Sequence, residues 1–228
     1  MRYELAKPED YRAAKAAAPI AYVPWGAHEW HGLHNPLGLD ALKAHGICLA
    51  LCVETGGVVF PPVYCGTQTM KPHAGFDATL DYTSQCVKLL ATETLDQLAD
   101  EGFRVIVILM GHYGPLHQAA MQEVVADFNA RQDRAVTWGF PDYAPVRDEG
   151  IPGDHAGRTE TSYMMLFHPE SVEIDRLPQE GELDMKKDGV GGVDPRGGNA
   201  SAEFGRNALA ALVRNAAPRI LSLLAEKT

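Results

Sequence analysis

One short segment near the start of the chain concentrates side chains that bind metal ions. The run PWGAHEWHGLHNPLGLD, residues 24–40, contains three histidines, one glutamate and one aspartate, interrupted by Pro and Gly. In an extended segment, side chains two residues apart point to the same side, so Glu29 and His31 can face one centre. Asp40 stands at the start of a predicted helix, from which its carboxylate can reach back. Two carboxylates and a histidine, without Cys, suit Zn, Mn or Fe.

This segment also has a simpler interpretation, a solvated loop followed by a capping aspartate. Its HEWH sequence is not the helical HExxH zinc motif, because the two histidines are three residues apart and Pro and Gly precede them. On this segment alone, both interpretations stay open.

Two later segments carry residues of the same kind. His112 follows the apolar run VIVILM after Gly111, and Glu160 opens a predicted helix shortly after Asp154 and His155. Each has an ordinary alternative: a histidine satisfied by backbone carbonyls, and an acidic helix N-terminus. His117 is interpreted as a surface residue. Together the three segments supply enough ligands for two metal ions with one bridging carboxylate, namely Glu29, His31, Asp40, His112 and Glu160.

The elements that must position these residues alternate between apolar runs and helical patterns. The predicted strands are residues 20–24, 58–64, 105–110 and 135–140. The predicted helices are residues 8–18, 40–55, 81–101, 115–131, 159–168 and 202–225, with Asp40 and Asp81 as N-caps. This alternation predicts the α/β class, a three-layer α/β/α sandwich with a mostly parallel central sheet. We expect one domain over residues 1–228.

The polar clusters lie where such a fold places its sites, at the carboxyl ends of strands. Residues 25–40 follow the first predicted strand, and residues 111–117 follow the third. Two long Gly-containing stretches, residues 65–80 and 178–200, interrupt the alternation. Loops of that length in a compact domain tend to be functional or disordered.

Composition excludes several classes of function. The net charge of −10, without any Lys/Arg-rich block, argues against nucleic acid and against an anionic membrane surface as partners. The first ten residues have no apolar stretch typical of a secretory signal, and the run at 105–110 is too short to span a bilayer. The four cysteines form no CxxC pair, which favours buried free thiols in a reducing cytoplasm.

At these candidate ligands the chain resembles the creatininase (creatinine amidohydrolase) family. The segment GAHEWHGLHNPLGLD matches the opening motif of that family at Glu29, His31, Gly32, His34 and Asp40. GHYG at 111–114, HAGRTETS at 155–162 and GVGGVDPRGGNASAEFG at 189–205 resemble its later motifs. Four motifs in the right order cover most of the chain.

The resemblance implies an α/β/α fold, two divalent metal ions and hydrolysis of non-peptide C–N amide bonds, often in rings or formamides. It places Glu29, Asp40 and His112 on one metal ion. His31, Asp40 and Glu160 would hold the other, so that Asp40 bridges the two. Family members usually assemble as hexamers, which predicts a homo-oligomer here.

Departures from the family pattern lie around the ligands rather than among them. Creatininase proper carries a Glu at the position of Gly114 and another at the position of Asp154. Trp30 replaces the usual Gln between the first two ligands, and HAGFDAT at 73–79 keeps His73 but lacks the family's Pro and Gly. The reaction type is therefore better supported than creatinine as the substrate.

The expected mechanism is attack by a metal-activated water on the amide carbonyl of a small cyclic, creatinine-like substrate. His155 is the candidate general acid, and Asp154 would orient it. Residues expected to line the substrate pocket are Trp25, Trp30, His34, His73 and Tyr113. The Gly-rich loop 189–198 would close over the substrate or contact a neighbouring subunit.

Two other functions stay open. One is a formamide hydrolase or a peptide-trimming relative of cofactor biosynthesis. The other belongs to a different class, a metal-binding scaffold protein without catalysis, in which both carboxylates and a bridging aspartate would not be needed.

Overall fold

The structure is a computed structural model that describes residues 1–227. The α-helices are α1 (Pro8–Ala17), α2 (Leu39–Thr55), α3 (Met70–Ala74), α4 (Ser84–Asp100), α5 (Pro115–Arg131), α6 (Arg158–Phe167) and α7 (Ala202–Glu226). The strands are β1 (Ile20–Gly26), β2 (Val58–Val59), β3 (Val63–Tyr64), β4 (Val105–Met110) and β5 (Val136–Pro141). The last residue of the predicted domain 1–228 lies outside the described residues.

The five strands form one parallel sheet. Its order is β2-β1-β4-β5, and β3 pairs with β1 beyond the end of β2. At the carboxyl ends of the three longest strands, Trp25 is level with Met110 and Met110 with Pro141. The segments that leave β1, β4 and β5 therefore start side by side at one edge of the sheet.

Side chains alternate between two cores, one on each face of the sheet. On the face of the sheet covered by α2, α6 and α7, the buried side chains of β1 and β4 are Ile20, Tyr22, Val105, Val107 and Leu109. On the face covered by α4 and α5, the buried side chains of the same strands are Ala21, Val23, Trp25, Ile106, Ile108 and Met110. Strands buried on both faces read as continuous apolar runs, as the sequence indicated. The predicted three-layer α/β/α sandwich is confirmed.

One predicted strand and both predicted N-caps are wrong. Asp40 lies in the first turn of α2, whose N-cap is Gly38. The predicted strand 58–64 is split into β2 and β3, because Pro61 and Pro62 have no N–H to donate to a ladder. Asp81 is not the N-cap of α4. Its Oδ1 accepts hydrogen bonds from the backbone N–H and hydroxyl of Thr69, at 2.7 and 2.8 Å, while the Thr83 side chain caps the helix.

By length and composition, α7 is apolar enough to cross a membrane, which the prediction from the apolar run at 105–110 overlooked. Core helices of soluble proteins pass the same test, and α7 packs against α2 and α6 through Ala208, Ala211, Leu212 and Ile220. The helix is therefore accounted for as part of the outer layer.

The four cysteines are free, as predicted. Cys48, Cys52 and Cys65 are buried, whereas Cys86 is exposed on α4, contrary to the expectation.

Two glycines bring the start of α2 against the edge of the sheet. A Cβ atom at Gly111 would lie 2.1 Å from the carbonyl oxygen of Asp40, and one at Gly26 would lie 2.3 Å from the amide nitrogen of Ala41. These are backbone atoms, so no side-chain rotation could relieve the clash. Only glycine at the ends of β1 and β4 lets the first turn of α2 place Asp40 between them.

We expect Gly111→Ala to destabilise the fold by about 1–3 kcal/mol, the typical cost of overpacking, and to displace Asp40. Gly139→Ala in β5 is the matched control, because its Cβ would meet only a Val125 methyl, at 2.8 Å. Urea unfolding and metal titration of both variants test this. Unchanged metal affinity in Gly111→Ala would show that the close approach does not position Asp40.

Candidate metal centre

Five acidic and histidine side chains from distant parts of the chain meet at the carboxyl edge of the sheet. Glu29 and His31 lie in the extended segment after β1, and Asp40 lies in the first turn of α2. His112 follows β4, and Glu160 lies in the first turn of α6. Each is at most 4% exposed. Every residue proposed as a ligand from the sequence is therefore in this cluster.

The side chains form two groups that share Asp40. In one group, His112 Nδ1 lies 2.9 Å from Glu29 Oε2 and 3.3 Å from Asp40 Oδ2. In the other, His31 Nε2 lies 3.0 Å from Asp40 Oδ1 and 3.6 Å from Glu160 Oε2. These separations suit neighbouring ligands of one ion with bonds of about 2.0–2.2 Å. Each Asp40 oxygen faces a different group, which is the geometry of a bridging carboxylate.

The residues present fit a pair of divalent cations, because their inward atoms have no hydrogen-bond partners among the described residues. These buried atoms are Glu29 Oε2, His31 Nε2 and Asp40 Oδ2. Buried polar atoms without partners are rare in proteins and demand an explanation. Their nitrogen and oxygen character suits zinc, manganese or iron.

The outer nitrogens of both histidines are held by the backbone. His31 Nδ1 lies 3.0 Å from the carbonyl oxygen of Glu29, and His112 Nε2 lies 3.0 Å from that of Thr67. Because a carbonyl only accepts, each of these nitrogens carries the proton and donates it. The opposite nitrogens, His31 Nε2 and His112 Nδ1, are thereby oriented toward the cluster, as is usual for metal-binding histidines.

The carboxylates are held in the same way from behind. Glu29 Oε1 accepts the backbone N–H of Met70 at 2.5 Å, at the start of α3. Glu160 Oε2 accepts the N–H of Ala156 at 2.8 Å. The short helix α3 was not predicted, and it gives the polar connection 65–80 a definite role in orienting Glu29.

A buried lysine that the sequence did not reveal supports Glu160. Lys43 is fully buried, and its Nζ lies 2.6 Å from Glu160 Oε1 and 3.0 Å from Asp142 Oδ2. It also donates to the hydroxyl of Tyr113 at 2.5 Å, and that hydroxyl donates to Asp142. Burial alone would lower the pKa of Lys43, but Asp142 and Glu160 outweigh it and raise that pKa, so the ammonium stays charged.

The sequence places Lys43 and Asp142 near the candidate ligands, although it does not show that they are buried together. Lys43 follows Asp40 by three positions, on the same side of a helix. Asp142 directly follows β5, and His112 stands two residues after β4, so both lie at the carboxyl edge of the sheet.

Histidine protonation balances the carboxylates when no metal ion is bound. Burial disfavours a charged His31, but Asp40 and Glu160 outweigh it and raise the pKa of His31 to about 9. The pKa of His112 is likewise raised against burial, by Glu29 and Asp40. Burial would raise the pKa of Asp40, but the two charged histidines hold it well below its usual range.

His155 lies at the rim of the cluster. Its ring stacks on that of His31 at 4.3 Å, and its Nε2 donates to the carbonyl oxygen of Trp30 at 2.8 Å. Burial, together with the charge on His31, lowers the pKa of His155.

The expected pairing of Asp154 with His155 is not formed. Asp154 Oδ2 accepts the N–H of Thr159 at 2.7 Å and Oδ1 accepts that of Glu160 at 3.1 Å, because these N–H groups at the start of α6 have no helical partner. Asp154 therefore positions the helix turn that carries Glu160, and the Trp30 carbonyl orients His155 instead. Burial, followed by the nearby Glu160, raises the pKa of Asp154 to about 7.

The cluster opens into a cleft of about 530 Å³. Of the residues expected to line it, His73 and Tyr113 do so. Trp30 does not, because its ring stacks on Phe76 at 5.0 Å. His34 does not either, since it is buried and its Nε2 lies 3.0 Å from Thr161 Oγ1.

The positions of two residues, Trp25 and His117, differ from those expected from the sequence, and a third residue, Gly114, lines the cleft. Trp25 lies in the core and donates from Nε1 to the carbonyl oxygen of Cys65 at 2.7 Å. His117 is fully buried against His112, with ring centroids 5.0 Å apart, so it is not a surface residue. Gly114 lines the cleft, and a Cβ there would lie 2.8 Å from the carbonyl oxygens of Thr67 and Gln68.

The Gly-rich loop forms one wall of the cleft within this chain. Gly191 and Gly192 line the cleft, and Gly191 exchanges two backbone hydrogen bonds with His155, at 2.7 and 3.0 Å. A Cβ at Gly189 would lie 2.3 Å from the ring of Trp30. Close packing against Trp30 and His155 explains why the loop requires glycine.

Comparison with known proteins agrees with the motifs. The family model "Creatininase: Creatinine amidohydrolase" matches residues 4–220. The chain is 26% identical over 208 residues to a creatinine amidohydrolase of Pseudomonas putida, covering 82% of this chain and 79% of that protein. It is 28% identical over 227 residues to a mycofactocin precursor peptide peptidase of Mycolicibacterium smegmatis, covering 92% and 87%.

Solved structures show the same fold. A mutant creatininase superposes with a TM-score of 0.80 at 22% identity, over 98% of both chains. A mutant creatininase of "Zn-Zn type" superposes with a TM-score of 0.78 at 21% identity, over 97% of both chains. For "Creatininase Mn" the TM-score is 0.77 at 23% identity, again over 97% of both chains.

Removing the buried lysine should destabilise the protein strongly. We expect Lys43→Met to cost about 3–5 kcal/mol, because Asp142 and Glu160 are left buried without their cation. The loss should be smaller at pH 5 than at pH 8, since protonation neutralises the unpaired carboxyls. Urea unfolding at both pH values measures it.

The matched control for that variant is Lys88→Met. Lys88 pairs with Glu123 at the surface, and such pairs contribute only about 0–1 kcal/mol. Equal losses in the two variants would contradict the role assigned to Lys43.

The metal-free protein should lose stability as the pH rises from 6.5 to 9. A histidine whose pKa is higher in the folded than in the unfolded protein contributes its full stabilisation below the unfolded pKa. That contribution is lost as the pH rises through the folded pKa, which is about 9 for His31. Metal ions must displace the same protons, so metal affinity should increase over this interval. Unfolding after chelation and metal titration across the interval test both statements, and metal-free stability that rises with pH would contradict them.

Proposed function

The chain belongs to the creatininase family, and from that premise we propose that it is a dinuclear-metal amidohydrolase cleaving a C–N amide bond. The observation that carries the proposal is Asp40, with one oxygen directed at each of two groups of potential ligands. Glu29 and His112 complete one group, and His31 and Glu160 the other. Zinc or manganese are the first metals to test, because structurally similar creatininases are described with them.

The two cations, when bound, would polarise the amide carbonyl and lower the pKa of the attacking water. The water oxygen joins the carbonyl carbon, the C–N bond breaks, and the nitrogen leaves with a proton. His155 is the group of this chain proposed to move that proton. Its lowered pKa keeps the ring neutral, so the nitrogen not bound to the Trp30 carbonyl accepts a proton from the water and returns it to the nitrogen.

Small cyclic amides related to creatinine are the first candidate substrates, because of the family and the Pseudomonas putida relative. The second candidate is peptide trimming, which the Mycolicibacterium smegmatis relative favours. A cleft of about 530 Å³ has room for a ligand of either kind. Glycine at position 114 removes the carboxylate that creatininase proper has there, which favours a substrate other than creatinine.

A metal-binding scaffold without catalysis would not need His155 beside the ligands or an open cleft leading to them. Both features are present, so hydrolysis accounts for more of the structure. We further propose a cytoplasmic homo-oligomer, a hexamer by the family resemblance, which size-exclusion chromatography with light scattering would test.

Asp40→Asn should abolish hydrolysis and lower the metal content from about two ions per chain, because one neutral amide cannot replace a bridging carboxylate. Asp10→Asn, at an exposed position of α1, is the control and should keep both. Elemental analysis and a screen of cyclic amides, formamides and short peptides supply the measurements. An Asp40→Asn protein that retains full turnover would refute the dinuclear mechanism.

A further inference from the structure

The cleft contains one positively charged side chain that none of the described residues neutralises. Arg147 lies in the 3-10 segment Ala144–Glu149, shortly after β5 ends. Among the described residues lining the cleft it is the sole Lys or Arg, and no carboxylate of residues 1–227 lies within ion-pair distance of it. Its guanidinium is exposed, so it is available to a ligand that enters the cleft.

The wall that carries Arg147 is fixed to the metal centre. The guanidinium lies over the ring of Tyr143, 5.7 Å from its centroid. The Tyr143 hydroxyl donates to Gln118 Oε1 at 3.2 Å, and Gln118 Nε2 donates to the carbonyl oxygen of Tyr113 at 2.7 Å. Tyr113 directly follows the ligand His112, so this chain of contacts runs from Arg147 to the catalytic edge.

The acidic neighbours of Arg147 do not satisfy it. Glu149 is bound by Arg214 at 2.8 Å and by the Asn215 side chain at 2.6 Å, on the side of α7. Asp148 makes no ion pair within the described part of the chain. An arginine stacked on an aromatic ring, with its fork of donors free, is suited to two-point recognition of a carboxylate.

We propose that Arg147 binds a carboxylate of the substrate, so that the enzyme acts on open-chain amides with a free carboxylate, such as N-acylated amino acids or peptide C-termini. This inference rests on the proposed amide hydrolysis. It orients the substrate in the open cleft, with the scissile carbonyl at the metal centre and the carboxylate at Arg147. A neutral cyclic amide would leave Arg147 without a partner.

The first test compares an N-acetylated dipeptide with its C-terminal amide on the zinc- or manganese-loaded enzyme. Wild type should hydrolyse the free acid with a kcat/KM about 10- to 100-fold above that of the amide, as expected for charge-assisted hydrogen bonds. Arg147→Gln should abolish this preference by slowing only the acid. Arg206→Gln, exposed on α7 outside the cleft, is the matched control and should retain the preference. An equal loss on both substrates in Arg147→Gln would overturn the proposal.

A binding measurement keeps this inference separable from the proposed function. Calorimetry of N-acetylglycine with the metal-loaded protein should show about 10-fold weaker binding to Arg147→Gln, partial recovery in Arg147→Lys, and no change in Arg206→Gln. Equal binding by wild type and Arg147→Gln overturns the proposal even if amides are hydrolysed. Weakened binding with no hydrolysis of any amide supports the carboxylate site and refutes the amidohydrolase. Tighter binding of inorganic phosphate than of N-acetylglycine would also overturn it.

Discussion

The structure depends on burying three carboxylates within a few ångströms of one another. Glu29, Asp40 and Glu160 are each at most 2% exposed, and ionised groups so placed repel one another and lack solvation. The ammonium of Lys43 and the backbone N–H groups of Met70 and Ala156 donate hydrogen bonds to these carboxylates and stabilise their charge. Glu29 Oε2 and Asp40 Oδ2, which face inward, receive none of these, and bound metal ions would complete the balance.

The fold meets this constraint through its sheet edge. Parallel strands end at a common edge, so residues more than a hundred positions apart can meet after β1, β4 and β5. Their meeting still requires a close approach, because the first turn of α2 must lie against the ends of β1 and β4. Gly26 and Gly111 permit it, and a methyl group at either position would occupy the space of the α2 backbone.

The sequence revealed the candidate ligands because their chemistry is local to each motif. Alternation in an extended segment correctly placed Glu29 and His31 on one side, and the strand-end rule located His112. The sequence did not reveal the hydrogen-bond partner of each polar side chain. Asp154 accepts from the free N–H groups of α6 and does not pair with the adjacent His155. His34 Nε2 lies 3.0 Å from Thr161 Oγ1, a contact that exists only after α6 meets the segment that follows β1.

The buried lysine illustrates the same limit more sharply. Lysine on a helix is ordinarily a surface residue, and only the simultaneous burial of Asp142 and Glu160 makes an interior ammonium favourable. No single segment carries that information, because the three residues come from α2, the end of β5 and α6. The strand 58–64, in contrast, could have been divided from the sequence, since two prolines in its middle cannot join a ladder.

Under the proposed function, reaction and specificity would reside in different parts of the cleft. The candidate ligands occupy strand ends and first helical turns, where backbone hydrogen bonds and close packing allow little change. Arg147 and Tyr143 line the outer part of the cleft and lie after β5, on a connection that carries none of the candidate ligands. A chain can therefore retain the metal-binding side chains of its family and still select another amide. This separation is consistent with the presence of both a creatinine amidohydrolase and a peptide peptidase among its relatives.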